Sequence, residues 1–175
     1  NWAQSTTFTM TKFPPLSNPV AFAKAIPERI TYHQGHPRNY RFNAKTGVLR
    51  FEDERDITSS GATFSLIPLA FRVFKTALFG AEVKDWFEVF FLNQSGHVCV
   101  LSFHSSSVDR LKRAIVRNLM YDGLTLAECI MTVRPLPRNH EKHGPYYVAD
   151  FFFEELPQDA ADKGAEIREL LPPIY

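Results

Sequence analysis

The sequence predicts a mainly β fold, a small five-stranded β-barrel with one helix between its third and fourth strands. Five apolar runs support this class, because they are rich in the β-branched and aromatic residues that strands favour. In chain order they are Phe64–Lys75, Asp85–Leu92, His97–His104, Ala127–Arg134 and Tyr146–Glu155. Between the third and fourth runs the apolar period lengthens to three or four residues, which is typical of a helix.

The region before the barrel is predicted to form an arm and a β-hairpin extension. Proline is dense in Asn1–Pro27 and blocks regular structure, so we interpret this segment as an arm that packs on the domain or extends from it. Asn39–Asn43 and Val48–Glu52 flank a turn that ends in glycine, which is a hairpin pattern. Arg29–His33 is a further candidate strand.

Three local features refine the barrel. Pro68 lies inside the first strand and cannot donate a hydrogen bond to a neighbouring strand, so it predicts a bulge, a bend or an edge position. The helix Ser105–Asp122 is expected to begin at a serine N-cap. Its predicted buried face consists of Val108, Leu111, Ile115 and Leu119, with Met120 as a further candidate. Pro135–Pro145 is expected to be a long loop.

Composition limits the organisation of the chain. Its 175 residues, 45% of them hydrophobic, are enough for one folded domain, which we place at residues 28–157. An acidic C-terminal tail, helical after Pro157, occupies residues 158–175. The net charge of +1 gives no global indication of a nucleic-acid partner, so the placement of charge along the chain must carry that argument.

Cysteine usage and hydropathy predict a protein of a reducing compartment. Cys99 and Cys129 each lie inside an apolar run, and we interpret them as buried free thiols rather than a disulfide. No apolar run approaches the ~18 residues of a membrane-spanning helix, and no signal-peptide pattern is present. A cytoplasmic location is therefore expected.

The order of elements over Phe64–Glu155 resembles the single-stranded-DNA-binding proteins of the OB-fold group. The acidic segment Gln158–Tyr175 is similar to the tails of bacterial members, which end in a short hydrophobic tip that recruits partner enzymes. The resemblance implies binding of single-stranded DNA or RNA, with DNA favoured, and a protein partner at the tip, here Leu171–Tyr175. The N-terminal hairpin is additional to the family pattern, and the tip does not match its usual ending.

A single-strand binder needs cations along the backbone path and aromatic faces for the bases. Basic and aromatic residues interleave around residues 38–42, 71–75 and 134–147. The predicted nucleic-acid-binding residues are Arg38, Tyr40, Arg41, Lys45, Arg72, Lys75, Trp86, Arg134, Arg138, Lys142 and Tyr146. The alternative for each segment is a solvated strand face with its aromatics in the core, and for Trp86 it is burial under the N-terminal arm.

No catalytic constellation is apparent, so we expect no enzyme and assign no cofactor. Two H-x-x-H pairs, His33/His36 and His140/His143, lie in loops without an accompanying cysteine or carboxylate cluster, so we assign no metal site. The last four residues, PPIY, match the pattern that WW domains recognise. The second functional hypothesis is a β-rich protein–protein interaction or assembly module without nucleic-acid binding. It would form homo-oligomers through the aromatic side chains of the second barrel strand.

Overall fold

The computed structural model describes residues 17–33, 36–52, 55–77 and 82–171. The strands in this part of the chain are β1 (Arg38–Asn43), β2 (Val48–Phe51), β3 (Arg55–Asp56), β4 (Phe64–Leu66), β5 (Pro68–Thr76), β6 (Lys84–Leu92), β7 (Val98–His104), β8 (Cys129–His140) and β9 (Gly144–Glu155). Its α-helices are α1 (Pro19–Ala23), α2 (Ser106–Ile115) and α3 (Gln158–Leu170), with 3₁₀ turns at Pro27–Arg29 and Leu126–Glu128 and a π turn at Val116–Met120. The predicted mainly β class and the C-terminal helix are confirmed.

The large sheet has six strands in the order β3-β2-β1-β7-β6-β5. One half is the predicted meander of β5, β6 and β7, whose neighbours are antiparallel. The other half begins with the predicted hairpin of β1 and β2, and β1 runs parallel to β7. Parallel neighbours need a long connection, and here the chain between them contains β2 to β6.

The small sheet has three strands in the order β4-β8-β9, and it shares one chain segment with the large sheet. β4 pairs with β8, the chain then bends at Ile67, and β5 pairs with β6. The register shifts between Pro68 and Ala70, so the predicted bulge or bend at Pro68 is confirmed. The described strands form no closed barrel, because β7 has β1 as its second neighbour and β9 pairs only with β8.

The second edge of β9 is covered by a helix and a turn instead of a strand. The Tyr147 N–H donates to the carbonyl of Ala44 in the β1–β2 turn at 2.6 Å. The Ala149 N–H donates to Ser107 Oγ of α2 at 3.1 Å. A buried N–H without an acceptor costs ~1–3 kcal/mol, so both bonds stabilise this edge. The β1–β2 turn and α2 therefore take the place beside β9 that a closing strand would occupy.

The prediction of a long loop at Pro135–Pro145 is wrong. β8 continues through both Pro135 and Pro137, and only residues 141–143 turn before β9 begins. In β9, Ala149 pairs with Pro135 and Tyr147 pairs with Pro137. The N–H groups of Ala149 and Tyr147 point away from β8, to Ser107 and to Ala44. The proline nitrogens therefore face away from β9 as well. β4 begins opposite Val133, so none of the described strands lies beside Pro135 or Pro137 on that side to receive a hydrogen bond.

The main hydrophobic core lies between the two sheets and α2. Phe103 of β7 contacts Phe42 of β1 with ring centroids 6.1 Å apart, and Phe151 of β9 at 5.1 Å. From α2, Val108 and Leu111 are fully buried in this core, as the spacing predicts. The core thus fixes β1, β7, β9 and α2 relative to one another, and these four elements meet at the candidate site.

A second core cluster joins α3 to the body of the protein. Ala160 and Ile167 are fully buried and pack with Phe22 of α1. Gly164 lies at the same contact, where an added Cβ would approach the Phe22 ring to 3.5 Å. The acidic C-terminal segment is therefore a packed helix over Gln158–Leu170.

Two other predictions fall in the terminal regions. The predicted strand at Arg29–His33 is wrong, because this stretch contains part of a 3₁₀ turn and only an isolated bridge from Thr31 to His97. The N-terminal arm up to residue 16 and the PPIY end lie outside the described residues.

Candidate nucleic-acid interface

A cleft of about 390 Å³ opens between the β1–β2 turn, the β8–β9 turn and the start of α2. We call it the hairpin cleft, and its lining residues are Phe42, Ala44, Lys84, Phe103, His104, Ser105, Ser106, Ser107, His140, His143, Tyr146 and Tyr147. Seven of these twelve side chains carry an aromatic or imidazole ring, and none is acidic. The cleft is therefore a ring-lined cavity whose ionisable lining groups are basic or phenolic.

The β1–β2 turn forms one wall of the hairpin cleft. Lys45 N–H donates to Asn43 Oδ1 at 2.9 Å, and Gly47 N–H donates to the Asn43 carbonyl at 2.8 Å. Gly47 has φ 67°, and a Cβ at this position would lie 2.7 Å from ring carbons of Tyr147. Glycine is required here both for the left-handed backbone and for the close approach of Tyr147.

The β8–β9 turn forms the opposite wall. The rings of His140 and His143 stack with centroids 4.7 Å apart and planes inclined at 30°. The Lys142 N–H donates to His140 Nδ1 at 3.2 Å, so this nitrogen is unprotonated in the observed geometry. The second ring nitrogen of His140 is then the N–H donor, and the stacked pair presents one polar edge next to Lys142.

The floor of the cleft near α2 combines a cation with an uncharged histidine. Burial, and secondarily the positive charge of Lys84, lowers the pKa of His104 below its ordinary value. The imidazole of His104 is therefore neutral near pH 7 and can donate or accept a hydrogen bond. Its Nδ1 lies 3.1 Å from Ser105 Oγ.

Ser105, one of the three serines expected to supply the N-cap, holds the N-cap position but does not cap α2 with its side chain. Its backbone has φ 53° and ψ −128°, a conformation that side-chain-bearing residues rarely adopt. Such backbone strain costs on the order of 1–3 kcal/mol and is concentrated at ligand sites and switch regions. The strained residue lies in the lining of the hairpin cleft.

Four of the predicted binding residues are brought together around the cleft. Tyr146 lines it, and its cross-strand neighbour is Arg138. Lys45 follows the lining residue Ala44 and is exposed, and Lys142 is exposed beside Glu141 between the two lining histidines. The basic hairpin and the basic β8–β9 region therefore flank a single cleft, although about 100 residues separate them in sequence.

Arg41 and Arg72 lie elsewhere, on the face of the large sheet opposite the core. Cross-strand pairing places them in one row that also contains acidic residues. The row runs Arg72, Glu88, Ser102, Arg41, Arg50 and Asp56. Arg72 Nε lies 2.5 Å from Glu88 Oε2, and Arg50 Nε lies 2.8 Å from Asp56 Oδ1. This face is therefore of mixed charge and is not a continuous cationic track.

Arg134 lies on the outer face of the small sheet. Its guanidinium is 3.1 Å from Asp150 Oδ2 and 4.6 Å from the centroid of the Phe152 ring. Arg110 of α2 pairs with the other oxygen of Asp150, also at 3.1 Å. Arg134 thus belongs to a local ion-pair cluster outside the lining of the cleft.

The remaining predicted residues do not line the cleft. Tyr40 and Trp86 are only 8% and 7% exposed, so neither ring is available for stacking with a base, and burial raises the pKa of Tyr40. Arg38 lies over the Phe51 ring at 5.8 Å. Lys75 is exposed on β5, the edge strand of the large sheet.

Comparison with known proteins gives no assignment. No family model matches the chain, and neither a curated protein nor a solved structure matches it. Among the described residues, no three His, Cys, Asp or Glu side chains group as a metal site requires. No helix in the described ranges is long and apolar enough to cross a membrane. Cys99 and Cys129 are both free and buried, as predicted.

Sequence reasoning missed Lys84, His104 and Ser105, which line the cleft. Lys84 is the first residue of β6, and His104 is the last residue of β7. The alternation of side chains along a strand does not predict what a side chain at the end of the strand contacts. The H-x-x-H pair at His140 and His143 is the one local pattern in the sequence that falls on the lining of the cleft. Its stacked geometry makes it part of an aromatic wall.

Proposed function

We propose that this protein binds single-stranded nucleic acid in the hairpin cleft. The observation that carries the proposal is that two hairpins with exposed lysines flank one ring-lined cleft, and none of its described lining residues is acidic. Flat rings stack with any base, and cations at the rim neutralise phosphates, so the binding would be largely independent of sequence. DNA is favoured over RNA by the resemblance of the element order alone.

The topology supports an open OB-like scaffold for this function. One bent segment, β4–β5, takes part in both sheets, the hairpin of β6 and β7 follows it, and α2 precedes the final hairpin of β8 and β9. In an OB fold, the face of strands 2 and 3 and the loops after strands 1 and 4 bind the ligand. The β8–β9 turn, which corresponds to the loop after strand 4, forms a wall of the hairpin cleft.

Each group in the cleft has a role in this proposal. A base stacks on Tyr146 and on the histidine pair, and stacking of this kind contributes ~1–3 kcal/mol per base. Lys84 and Lys142 contact phosphates, and His104 and Ser105 donate hydrogen bonds to phosphate oxygens or base edges. A cavity of about 390 Å³ lies at the lower end of the range for small-ligand pockets, so it accommodates one nucleotide and not a duplex.

A fluorescence anisotropy titration tests the proposal. A labelled oligothymidylate of about 15 nucleotides should bind, and the affinity should fall linearly with salt on a log–log plot because counterions are released. Duplex DNA of the same length should bind more weakly. Absence of binding at low salt, or binding that does not change with salt, would refute the proposal.

Matched variants locate the binding to the cleft. Lys84→Gln and Lys142→Gln should each reduce the salt slope by about 0.7, the value for one phosphate contact on a single strand, whereas Lys75→Gln should leave it unchanged. Tyr146→Ala should weaken binding by ~1–3 kcal/mol, and the control Phe71→Ala, another partly exposed aromatic, should not. Equal effects of the cleft variants and their controls would exclude the cleft as the site.

A second candidate function is a protein–protein assembly module. The aromatic residues expected at its interface are buried within the single chain, with Trp86 7% and Phe90 2% exposed. The observation in its favour is the edge strand β5, where Phe71 and Val73 are 46% and 48% exposed. Phe71→Ser should make an assembling protein monomeric by light scattering and should leave oligonucleotide binding intact.

A further inference from the structure

One helix carries an exposed stripe that the proposed binding site does not use. Along α2 and its π turn, side chains at a spacing of three and four residues face away from the core. We call this the basic stripe, and it consists of Arg113, Val116, Arg117, Met120 and Tyr121. Val116, Met120 and Tyr121 are 50%, 67% and 84% exposed. Adjoining exposed apolar side chains beside arginines are typical of a contact surface.

A second helix carries a stripe of opposite charge. Its members on α3 are exposed, and they form the acidic stripe Asp159, Asp162, Glu166, Glu169 and Leu170. Leu170 is 63% exposed, whereas Ala160 and Ile167 on the other side of α3 are buried. Lys163 pairs with Glu166 at 2.5 Å and offsets one of the four negative charges.

We propose that copies of this chain associate, with the basic stripe of one copy on the acidic stripe of the next. The charges are complementary, and apolar side chains adjoin the charged ones in both stripes. The acidic stripe advances eleven residues along α3, about 16 Å, and the basic stripe advances eight residues, at most about 12 Å, so the acidic stripe is long enough to cover the basic one. Because each copy carries both stripes, the contact can be made twice in a two-fold dimer or repeated head to tail in a ring or a filament.

A second copy explains the composition of the basic stripe better than a polynucleotide does. Phosphates would require the arginines but give no reason for Val116 and Met120 to be exposed beside them. An acidic helix that ends in an exposed leucine fits both the arginines and the apolar side chains of the basic stripe. Its carboxylates form ion pairs with the arginines at the rim, and its leucine contacts the apolar side chains at the centre. The proposal does not depend on nucleic-acid binding, and the molecular mass that tests it is measured without nucleic acid.

Two charge-reversed variants make the test. The first, Arg113→Glu with Arg117→Glu, presents two negative stripes. The second, Asp162→Arg with Glu169→Arg, makes the α3 stripe positive while leaving the basic stripe of α2 intact. Sedimentation equilibrium at low salt should show self-association of the wild type and a dissociation constant at least about tenfold higher for each variant alone. An equimolar mixture should associate to within about threefold of the wild type, because both contacts are then complementary again.

Controls separate this contact from other causes. Arg55→Glu with Lys75→Glu lies outside both stripes, changes the net charge by the same amount as the basic-stripe variant, and should associate like the wild type. Met120→Ser should weaken association with no change in charge, and circular dichroism should show that every variant is folded. A monomeric wild type at all concentrations, or a mixture that stays monomeric, overturns the proposal. The proposal is also overturned if the basic-stripe variant binds oligonucleotide more weakly than the wild type while the molecular mass of its assembly is unchanged. The stripe would then contact nucleic acid.

Discussion

Replacement of Gly47 by alanine tests the contact that joins the two sheets at the hairpin cleft. Gly47 is in the β1–β2 turn at φ 67°, and the Tyr147 ring of β9 lies against its α-carbon. An added Cβ would lie 2.7 Å from two ring carbons, closer than carbon atoms approach without displacement. Tyr147 cannot retreat easily, because its N–H is bonded to the Ala44 carbonyl at 2.6 Å.

Two costs contribute to the effect of Gly47→Ala. A left-handed backbone costs an alanine ~1–2 kcal/mol relative to glycine. Overpacking at a fixed contact adds ~1–3 kcal/mol. The free energy of unfolding should therefore fall by ~2–5 kcal/mol. At ~2–4 °C per kcal/mol for a chain of this size, the melting temperature should fall by ~4–20 °C.

Gly123 provides a matched control for the backbone cost. It has the same φ of 67°, and an added Cβ there would find no atom within 4 Å. Gly123→Ala should therefore cost only ~1–2 kcal/mol. Urea denaturation followed by tryptophan fluorescence measures both variants. In a double-mutant cycle, Gly47→Ala should cost ~1–3 kcal/mol less in the Tyr147→Ala background than in the wild type.

Equal losses for Gly47→Ala and Gly123→Ala, within ~0.5 kcal/mol, would show that Tyr147 does not pack on the turn. The hairpin cleft would then lack one of its walls, because the β1–β2 turn would not be held against β9. A zero coupling energy with Tyr147 would lead to the same conclusion. If the contact is present, Gly47→Ala should also weaken oligonucleotide binding, since the displaced ring lines the hairpin cleft.

Three further predictions concern buried groups. Ser107→Ala should destabilise the protein by ~1–3 kcal/mol, because it leaves a buried N–H of β9 without an acceptor, whereas exposed Ser106→Ala should change stability by less than ~0.5 kcal/mol in urea denaturation. Burial raises the pKa of Cys99 to about 12 and of Cys129 to about 11, so neither thiol should react with a thiol reagent at pH 8 until urea unfolds the chain. The pKa of His104 is lowered in the folded state, so below about pH 6.5 the unfolded state binds a proton at this imidazole more readily than the folded state does. The free energy of unfolding should therefore fall as the pH drops through about 6.5. His104→Gln should flatten this part of the curve of stability against pH.

Elements defined by local pattern could be predicted from the sequence. The hairpin of β1 and β2 follows from strand alternation on either side of a glycine-containing turn, and the buried face of α2 follows from its spacing. Pro68 predicted the bend because a missing N–H has the same consequence in any sheet. Each of these inferences needs only residues within about ten positions of one another.

Features that depend on distant partners could not be predicted in this way. Pro135 and Pro137 suggest a loop, and they are acceptable in β8 only because β4 stops short of them. The alternation in β1 places Tyr40 on one face, but the pairing of β1 with β7 decides that this face is the core. Burial of Trp86 is likewise a property of the assembled sheet and not of its own strand.

The hairpin cleft exists for the same reason that the barrel does not close. A strand paired along the second edge of β9 would take the N–H groups of Tyr147 and Ala149 into a ladder and fill the space beside them. Here the first bonds to the β1–β2 turn and the second to Ser107 of α2, two groups that meet β9 at separate points. The gap at this edge is lined by the rings of β9, the turn and the start of α2. The parallel pairing of β1 with β7 brings the turn to this edge, so the N-terminal hairpin forms a wall of the proposed binding site.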